Sequence, residues 1–318
     1  MTAKERYRDL CKEELTIPIF SRDWWLDAVC GSNWEVCLVE KGGRILATLP
    51  FYTRKRYGYI ISTQPQLTQT LGPWLRSSDA KYAIRLGHEK DLMTDLLKQL
   101  PDFAAFSQNW HHAITNWLPF YWQGFSQTTR YTYRLPDLTS IESVWSGFRE
   151  NIRCDIRKAT NRFGLTVKTD CSLDDFLALN VQTFERQGMK LPYTRDFLYR
   201  IDQSCASKNA RQIFIAEDAD GQKHAGVYII WDEQSAYYLM GGGDPRLRSS
   251  GATSMCMWEA IQFAATKTKS FDFEGSMLEP VERFFRAFGA IQTPYFSVTK
   301  TNSRVLKALR SVRELVRV

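Results

Sequence analysis

The sequence predicts a mixed α+β protein made of two tandem copies of one unit, and three observations predict it. The chain has 318 residues, about the length of two ordinary domains. Hairpin signals alternate with windows of helical periodicity along its length. Four kinds of segment recur in the same order in both halves, which sets a boundary near Leu135 to Ser140 and domains at residues 1–135 and 136–318.

The first pair of segments is WEVCLVEKGGRILATLPFY (Trp34 to Tyr52) and RQIFIAEDADGQKHAGVYIIWD (Arg211 to Asp232). Each reads as strand, glycine-containing turn and strand. Next come aromatic or apolar stretches broken by glycine, LTQTLGPWL and AYYLMGGGDP. Two helical windows follow, YAIRLGHEKDLMTDLLKQL and ATSMCMWEAIQFAATKT, with apolar residues at three-to-four spacing. Short strands, FAAFS and FDFEG, then precede aromatic closing segments in which Gly124 and Gly289 hold the same place.

Between the copies lies a helical insert, residues 140–163. Thr139 and Glu142 match a capping box, apolar residues run from Ile141 to Phe163 at helical steps, and Gly164 ends the pattern. Arg149, Arg153 and Arg157, at i, i+4 and i+8, put a basic stripe on the other face, with Lys158 and Arg162 beside it. Such a stripe reads either as a phosphate-holding rail or as a solvated face. Ser172 with Asp175 caps a second helix, and Thr194 caps a third.

Composition narrows the function classes. With 44% hydrophobic residues the chain is neither disordered nor collagenous. No window approaches a membrane span, and MTAKERYRDLCKEEL lacks the apolar core of a signal peptide, so the expected compartment is the cytoplasm. The seven cysteines are scattered without C-x-x-C spacing, and the four histidines have no carboxylate at ligand spacing, so neither a disulfide framework nor a metal is expected. The net charge, 42 minus 35 or +7, is mild, and no nucleic-acid-binding motif accompanies it.

The helix GFRENIRCDIRKATNRFGLTV, the strand YYLMGGGDP and the run FDFEGSMLEPVERFFRAFGA together resemble FemAB-type transferases of the GNAT superfamily, over most of Leu135 to Lys300. The resemblance implies two tandem GNAT-like domains and transfer of an acyl or aminoacyl group to an amine. The donor would be acetyl-CoA or another acyl-CoA, or aminoacyl-tRNA. Residues 241–253 resemble the superfamily's pyrophosphate loop, R/Q-x-x-G-x-G/A, with Arg248, Ser250, Gly251 and Thr253 at the cofactor-binding positions, although threonine replaces the last small residue. Acetyltransferases of this superfamily commonly place a tyrosine four residues before a late glycine. Here it is Phe285, which cannot donate a proton, with Arg286 beside it as an oxyanion or phosphate partner. Arg195 and Tyr199 match positions where FemAB-type ligases hold nucleotide phosphates, and Tyr238 falls where the family has a tyrosine near the substrate.

For a base, Asp272 and Glu274 alternate with Phe271 and Phe273, so a strand there would project both carboxylates from one face. The expectation is an acyltransferase acting on an amine of a cell-envelope or glycan-related precursor, its anionic groups held by Arg153, Arg157, Arg195 and Arg248. A coenzyme A-dependent N-acetyltransferase is the alternative that the Gly251 loop favours and Thr253 and Phe285 oppose. A ligand-binding scaffold that lost the chemistry is the alternative of another class. If tRNA is the donor, the stripe would contact its backbone with steep salt dependence.

Overall fold

The computed structural model describes residues 1–56, 58–275 and 277–308. The first half runs α1 (Ala3–Glu13), α2 (Asp23–Cys30), β1 (Trp34–Lys41), β2 (Arg44–Arg56), β3 (Tyr59–Ser62), β4 (Trp74–Leu75), α3 (Tyr82–Gln99), β5 (Ala105–Asn109), α4 (Leu118–Trp122) and β6 (Ser126–Leu135). The second runs α5 (Ile141–Gly147), α6 (Glu150–Asn161), β7 (Thr166–Lys168), α7 (Leu173–Arg186), α8 (Arg195–Ser207), β8 (Arg211–Glu217), β9 (Lys223–Trp231), β10 (Ser235–Gly243), α9 (Ala252–Ala265), β11 (Ser270–Asp272), α10 (Glu279–Ala287) and β12 (Ile291–Thr301). Both hairpins stand where their turn residues put them. Gly42 and Gly43, at positive φ, join β1 to β2, and the Asp218 carboxylate accepts from the Asp220 and Gln222 N–H groups between β8 and β9.

Two compact units result, Met1–Arg130 with the segment from Pro294, and Tyr131–Thr293. In the first unit the strand order is β1-β2-β3-β5-β12, with β4 on β2, β3 parallel to β5, and Ser297–Thr301 of β12 antiparallel to β5. In the second it is β7-β8-β9-β10-β11-β6, with β10 parallel to β11 and Arg134–Leu135 of β6 antiparallel to β11. The repeat is therefore real in topology: an antiparallel hairpin, a third strand, a helix and a parallel strand. Each copy closes with a short helix, a glycine at positive φ (Gly124 or Gly289) and a last strand. Those last strands are exchanged, β6 pairing with β11 and β12 with β5. Hence the unit borders fall at Arg130 and Pro294, whereas a single cut near 135–140 was expected.

Three local expectations need correction. The first-unit counterpart of β10 is β3, the strand beside the parallel partner, and not LTQTLGPWL, of which only Trp74–Leu75 pairs, with β2. The insert is two helices, because Phe148 turns extended and buries its ring against Trp258 and Phe288 while Arg149 N–H donates to Ala287 O at 2.8 Å. The N-cap of α5 is Ser140, whose hydroxyl accepts from Ser143 N–H, whereas Thr139 N–H donates to Asp137. Ser172 and Thr194 cap α7 and α8 as expected.

The core of the second unit joins Ile152, Ile156 and Ala159 of α6 to Met257, Ala260 and Ile261 of α9 and to Phe271, Phe273, Phe285 and Phe288. Burying each large side chain contributes about 1.5–3 kcal/mol, so this cluster fixes where the ends of β10 and β11 lie. Residues 309–318, placed in the second predicted domain, and Ser276 of the FDFEGSMLEP run lie outside the described residues.

Candidate active site

The run Gly241-Gly242-Gly243, read from sequence as the start of a phosphate loop, is instead the end of β10, paired with Val227, Gly226 and Ala225 of β9. Its glycines are required by close approach. A Cβ at Gly242 would lie 2.5 Å from Asn180 N and 2.6 Å from Leu179 C, so only glycine lets the α7 backbone rest on the strand. A Cβ at Gly241 would lie 1.9 Å from the Tyr238 hydroxyl oxygen. The Tyr238 ring thus folds along its own strand, past a bulge in which the next residue, Leu239, has no register partner.

Strand β10 has a β11 partner only over Ser235–Tyr237, because β11 stops at Asp272. Beyond that point the two strands no longer pair, and Tyr238 occupies the position next to the gap. Glu274 stands in the left-handed region at φ 57, followed by Gly275 at φ 46, where a Cβ would lie 2.2 Å from Tyr131 O. A non-glycine residue held there costs about 1 kcal/mol or more and persists only where surroundings impose it. The expected alternation of Asp272 and Glu274 along one strand face is therefore overturned, since the strand ends between them.

The two carboxyls consequently do different things. Asp272 is buried and fastens the turn: its Oδ1 accepts from the Thr132 hydroxyl and from Glu274 N–H at 2.7 Å, and Arg134 Nε lies 3.8 Å from Oδ2. Burial pushes its carboxyl up to about 6, against the lowering effects of Thr132, the Glu274 N–H and Arg134. Burial first and the Asp272 charge second push Glu274 well above the usual glutamate range, and its Oε1 has no solvent contact although part of the residue is open. Burial, then Tyr193 and Glu274, likewise raise the Tyr238 phenol, so it stays protonated at neutral pH.

A stability test separates Asp272 from Glu274. A carboxyl whose folded pKa is about 6, above its usual 3.8, binds more protons folded than unfolded between those values, so stability falls as pH rises through that window. The expected fall from this group is on the order of 2 kcal/mol. Asp272→Asn keeps an oxygen for Thr132 and the Glu274 N–H, and denaturant titrations at pH 4, 5 and 6.5 should show that part of the slope removed. An unchanged slope would contradict the assignment.

Sequence reasoning missed the polar groups that frame Tyr238. Tyr193 OH donates to Asn180 Oδ1 at 3.0 Å, and Asn180 Nδ2 donates to Gly241 O at 2.7 Å. Asn180 had a signal, a buried polar residue on the apolar face that carries Phe176 and Leu179. Tyr193 had none, because it reaches Asn180 from the loop before α8.

The remaining expected site residues are dispersed. Phe285 faces Tyr238, ring centroids 5.8 Å apart, while Arg286 lies on the exposed side of α10 bonded to Glu282 at 2.7 Å. Arg153 and Arg157 both bond Glu150, at 2.8 and 3.0 Å, and hold its carboxyl down at about 2, so the stripe is partly neutralised by its own helix. Arg195 pairs with Asp174 at 2.5 Å and donates to Tyr199 OH at 3.3 Å, and Tyr199 donates to Asp174 at 2.6 Å. At the start of α9, Arg248 and Thr253 are exposed, and the buried Ser250 hydroxyl accepts from Ala252 N–H at 3.3 Å. Gly251, at φ 84, has a structural reason of its own: a Cβ would lie 2.2 Å from Asp155 O of α6.

Residues 146–286, which contain α6, β10, β11 and most of α10, match the family model described as an acetyltransferase (GNAT) domain. That stretch, just under half of the chain, is similar to a GNAT acyltransferase domain. No curated protein matches it in sequence. The fold extends past this GNAT domain to the whole chain. FemX is similar at 12% identity and a TM-score of 0.65, over 93% of this chain and 96% of that one. The C-terminal domain of a putative lysylphosphatidylglycerol synthetase from Agrobacterium fabrum is similar at 12% identity and 0.58, over 98% and 96%. A tandem GNAT protein from the clavulanic acid biosynthesis pathway is similar at 11% identity and 0.50, over 94% of each chain. At such identities the likeness is one of fold, and it is the FemAB-like fold that the sequence predicted. Among the described residues no helix is long and apolar enough to cross a membrane, and no group of three or more His, Cys, Asp or Glu is placed to hold a metal ion.

Proposed function

We propose that the second unit transfers an acyl or aminoacyl group to an amine of an anionic, glycan-related precursor of the cell envelope. The observation that carries this reading is the end of β10–β11 pairing at Tyr237 and Asp272, which leaves Tyr238 just past the paired stretch on one strand and Glu274, at positive φ, just past it on the other. The first unit offers no equivalent glycine start to its helix: α3 begins after Lys81, whereas α9 begins after Gly251.

In this reading the amine nitrogen attacks the acyl carbon, the new N–C bond forms, and the bond to the leaving sulfur or ribose oxygen breaks. Glu274, made a stronger base than an ordinary glutamate by burial and by the Asp272 charge, accepts the proton that the nitrogen sheds. Tyr238 gives its phenolic proton to the leaving atom, the task Phe285 cannot perform, and the proton on Glu274 returns to Tyr238. The bulge at Leu239 turns backbone out of the ladder beside them, where a developing oxyanion can be met. Donor phosphates would lie at the start of α9, with Arg248 and the Thr253 N–H.

The likeness to a putative lysylphosphatidylglycerol synthetase supports an aminoacyl donor, which we take to be aminoacyl-tRNA, and the acetyltransferase description of the matching family supports acetyl-CoA. Thermal shift decides between them, since a ligand that binds only the folded state raises Tm. A shift with aminoacyl-tRNA or UDP-linked sugars and none with coenzyme A supports the ligase. A shift with coenzyme A alone supports the acetyltransferase, and silence from all would sink the proposed transfer.

A further inference from the structure

The first unit has a cavity of its own. It measures about 220 Å³ and is lined by the last turns of α3, by β5 and by the end of β12, with Leu97 and the rings of Phe103, Phe106 and Phe125 as its apolar wall. The three rings are buried and fixed against one another: the Phe106 centroid lies 5.4 Å from that of Phe125, edge-on, and 5.9 Å from that of Phe103. An apolar cavity of about 150 Å³ takes up benzene, so this one has room for a six-membered ring with a short chain attached. Every lining residue belongs to the unit made of Met1–Arg130 and the segment from Pro294, whereas the gap between β10 and β11 belongs to the other unit.

The charges of the lining set what it can take. Lys300 is half-buried, its ammonium 4.9 Å from the Phe125 centroid, and it donates to the Gln123 carbonyl at 2.8 Å. Among the described residues no carboxylate pairs with it. The strand register explains this: β12 sets Lys300 opposite Phe106, whereas the other exchanged strand, β6, sets Arg134 opposite Asp272. An ammonium has three donors, and here one is used, so two remain for an anion over the rings. A cation partly withdrawn from water without a counter-ion gains from meeting one. The second cation of the lining, Lys98, is already paired with Asp95 at 2.7 Å. The lining's own acid, Asp102, opposes a second negative charge in the same space.

We propose that this cavity is a binding site for a small monocarboxylate with an aromatic or branched apolar body. The carboxylate accepts from Lys300, the body lies on the three phenylalanine rings, and Asp102 selects against a dianion. The site makes the first unit a ligand-binding unit in its own right, and it stands whether or not the second unit transfers an acyl group.

The test is calorimetric titration of the full chain with 3-phenylpropanoate, beside 3-phenylpropan-1-ol, which lacks the charge, and phenylsuccinate, which carries a second one. We expect 3-phenylpropanoate to bind at least about tenfold more tightly than either. Two variants locate the binding. Lys300→Met keeps an apolar stem over Phe125 and should bring 3-phenylpropanoate down to the level of the alcohol. Gln123→Trp fills the cavity from an exposed position that lines it and should weaken 3-phenylpropanoate by at least about tenfold, with Tm unchanged. The comparison of the three probes on the unaltered chain decides the charge preference without any variant. No binding of 3-phenylpropanoate, equal binding of the alcohol or of phenylsuccinate, or full binding retained by either variant would overturn the proposal.

Discussion

Glu274→Gln is expected to lower acyl transfer by about 10²–10⁴-fold, the usual contribution of a positioned general base, while Tm stays at or above the unaltered value. Stability is not lost because the substitution removes a carboxyl whose ionisation is opposed by burial and by Asp272. The pH profile separates a chemical role from a structural one. Glu274 becomes a base only as pH rises through its raised pKa, so the rate should climb over a range above that of an ordinary glutamate. That ascending limb should vanish in the Gln variant. Glu274→Gly adds a second check, because glycine relieves the left-handed backbone at φ 57. An inactive Gly variant with unchanged or higher Tm would show that the strain is kept for chemistry. A Gln variant with the rate and pH profile of the original chain would remove Glu274 from the mechanism.

Tyr238→Phe is expected to lower transfer by about 10²–10³-fold, with the larger loss for donors whose leaving atom most needs a proton. The ring still packs on Phe285, so the fold is retained. Gly241→Ala should reproduce this loss with the tyrosine in place, because the added methyl competes for the position of the Tyr238 hydroxyl. Rates from esters or thioesters with a good leaving group should suffer less in both variants. If Tyr238→Phe falls alone while Gly241→Ala transfers normally, the hydroxyl is not held where the reaction needs it, and its role as acid is lost.

The architecture was legible because its signals are local. Turn glycines 42 and 43, caps Ser172 and Thr194, and the Gly124/Gly289 correspondence each act within a few residues, and their order revealed the repeat. The strand exchange was not legible, since β6 and β12 carry the same pattern whichever β-strand they pair with. In the site, Tyr238 was expected from resemblance and Glu274 from strand alternation, and the alternation does not hold because β11 ends at Asp272. Where β11 stops is decided across the chain, by Asp272, Thr132 and the close approach of Gly275 to Tyr131. The triple glycine misled because phosphate loops and close helix packing both demand glycine, and only the position of α7 shows which demand operates. The basic stripe was legible as a pattern, but spacing displays Arg153 and Arg157 and not the choice of Glu150 as their shared partner.

We propose that the second unit transfers an acyl group at Glu274 and Tyr238. The most direct test is mass spectrometry of an amine-acceptor mixture, UDP-linked precursors included, incubated with the full chain and with acetyl-CoA or aminoacyl-tRNA in turn. The expected result is an N-acylated product from one donor, and none from the Glu274→Gln, Tyr238→Phe double variant, which should still give the donor's thermal shift. The same product at the same rate from the double variant would contradict it.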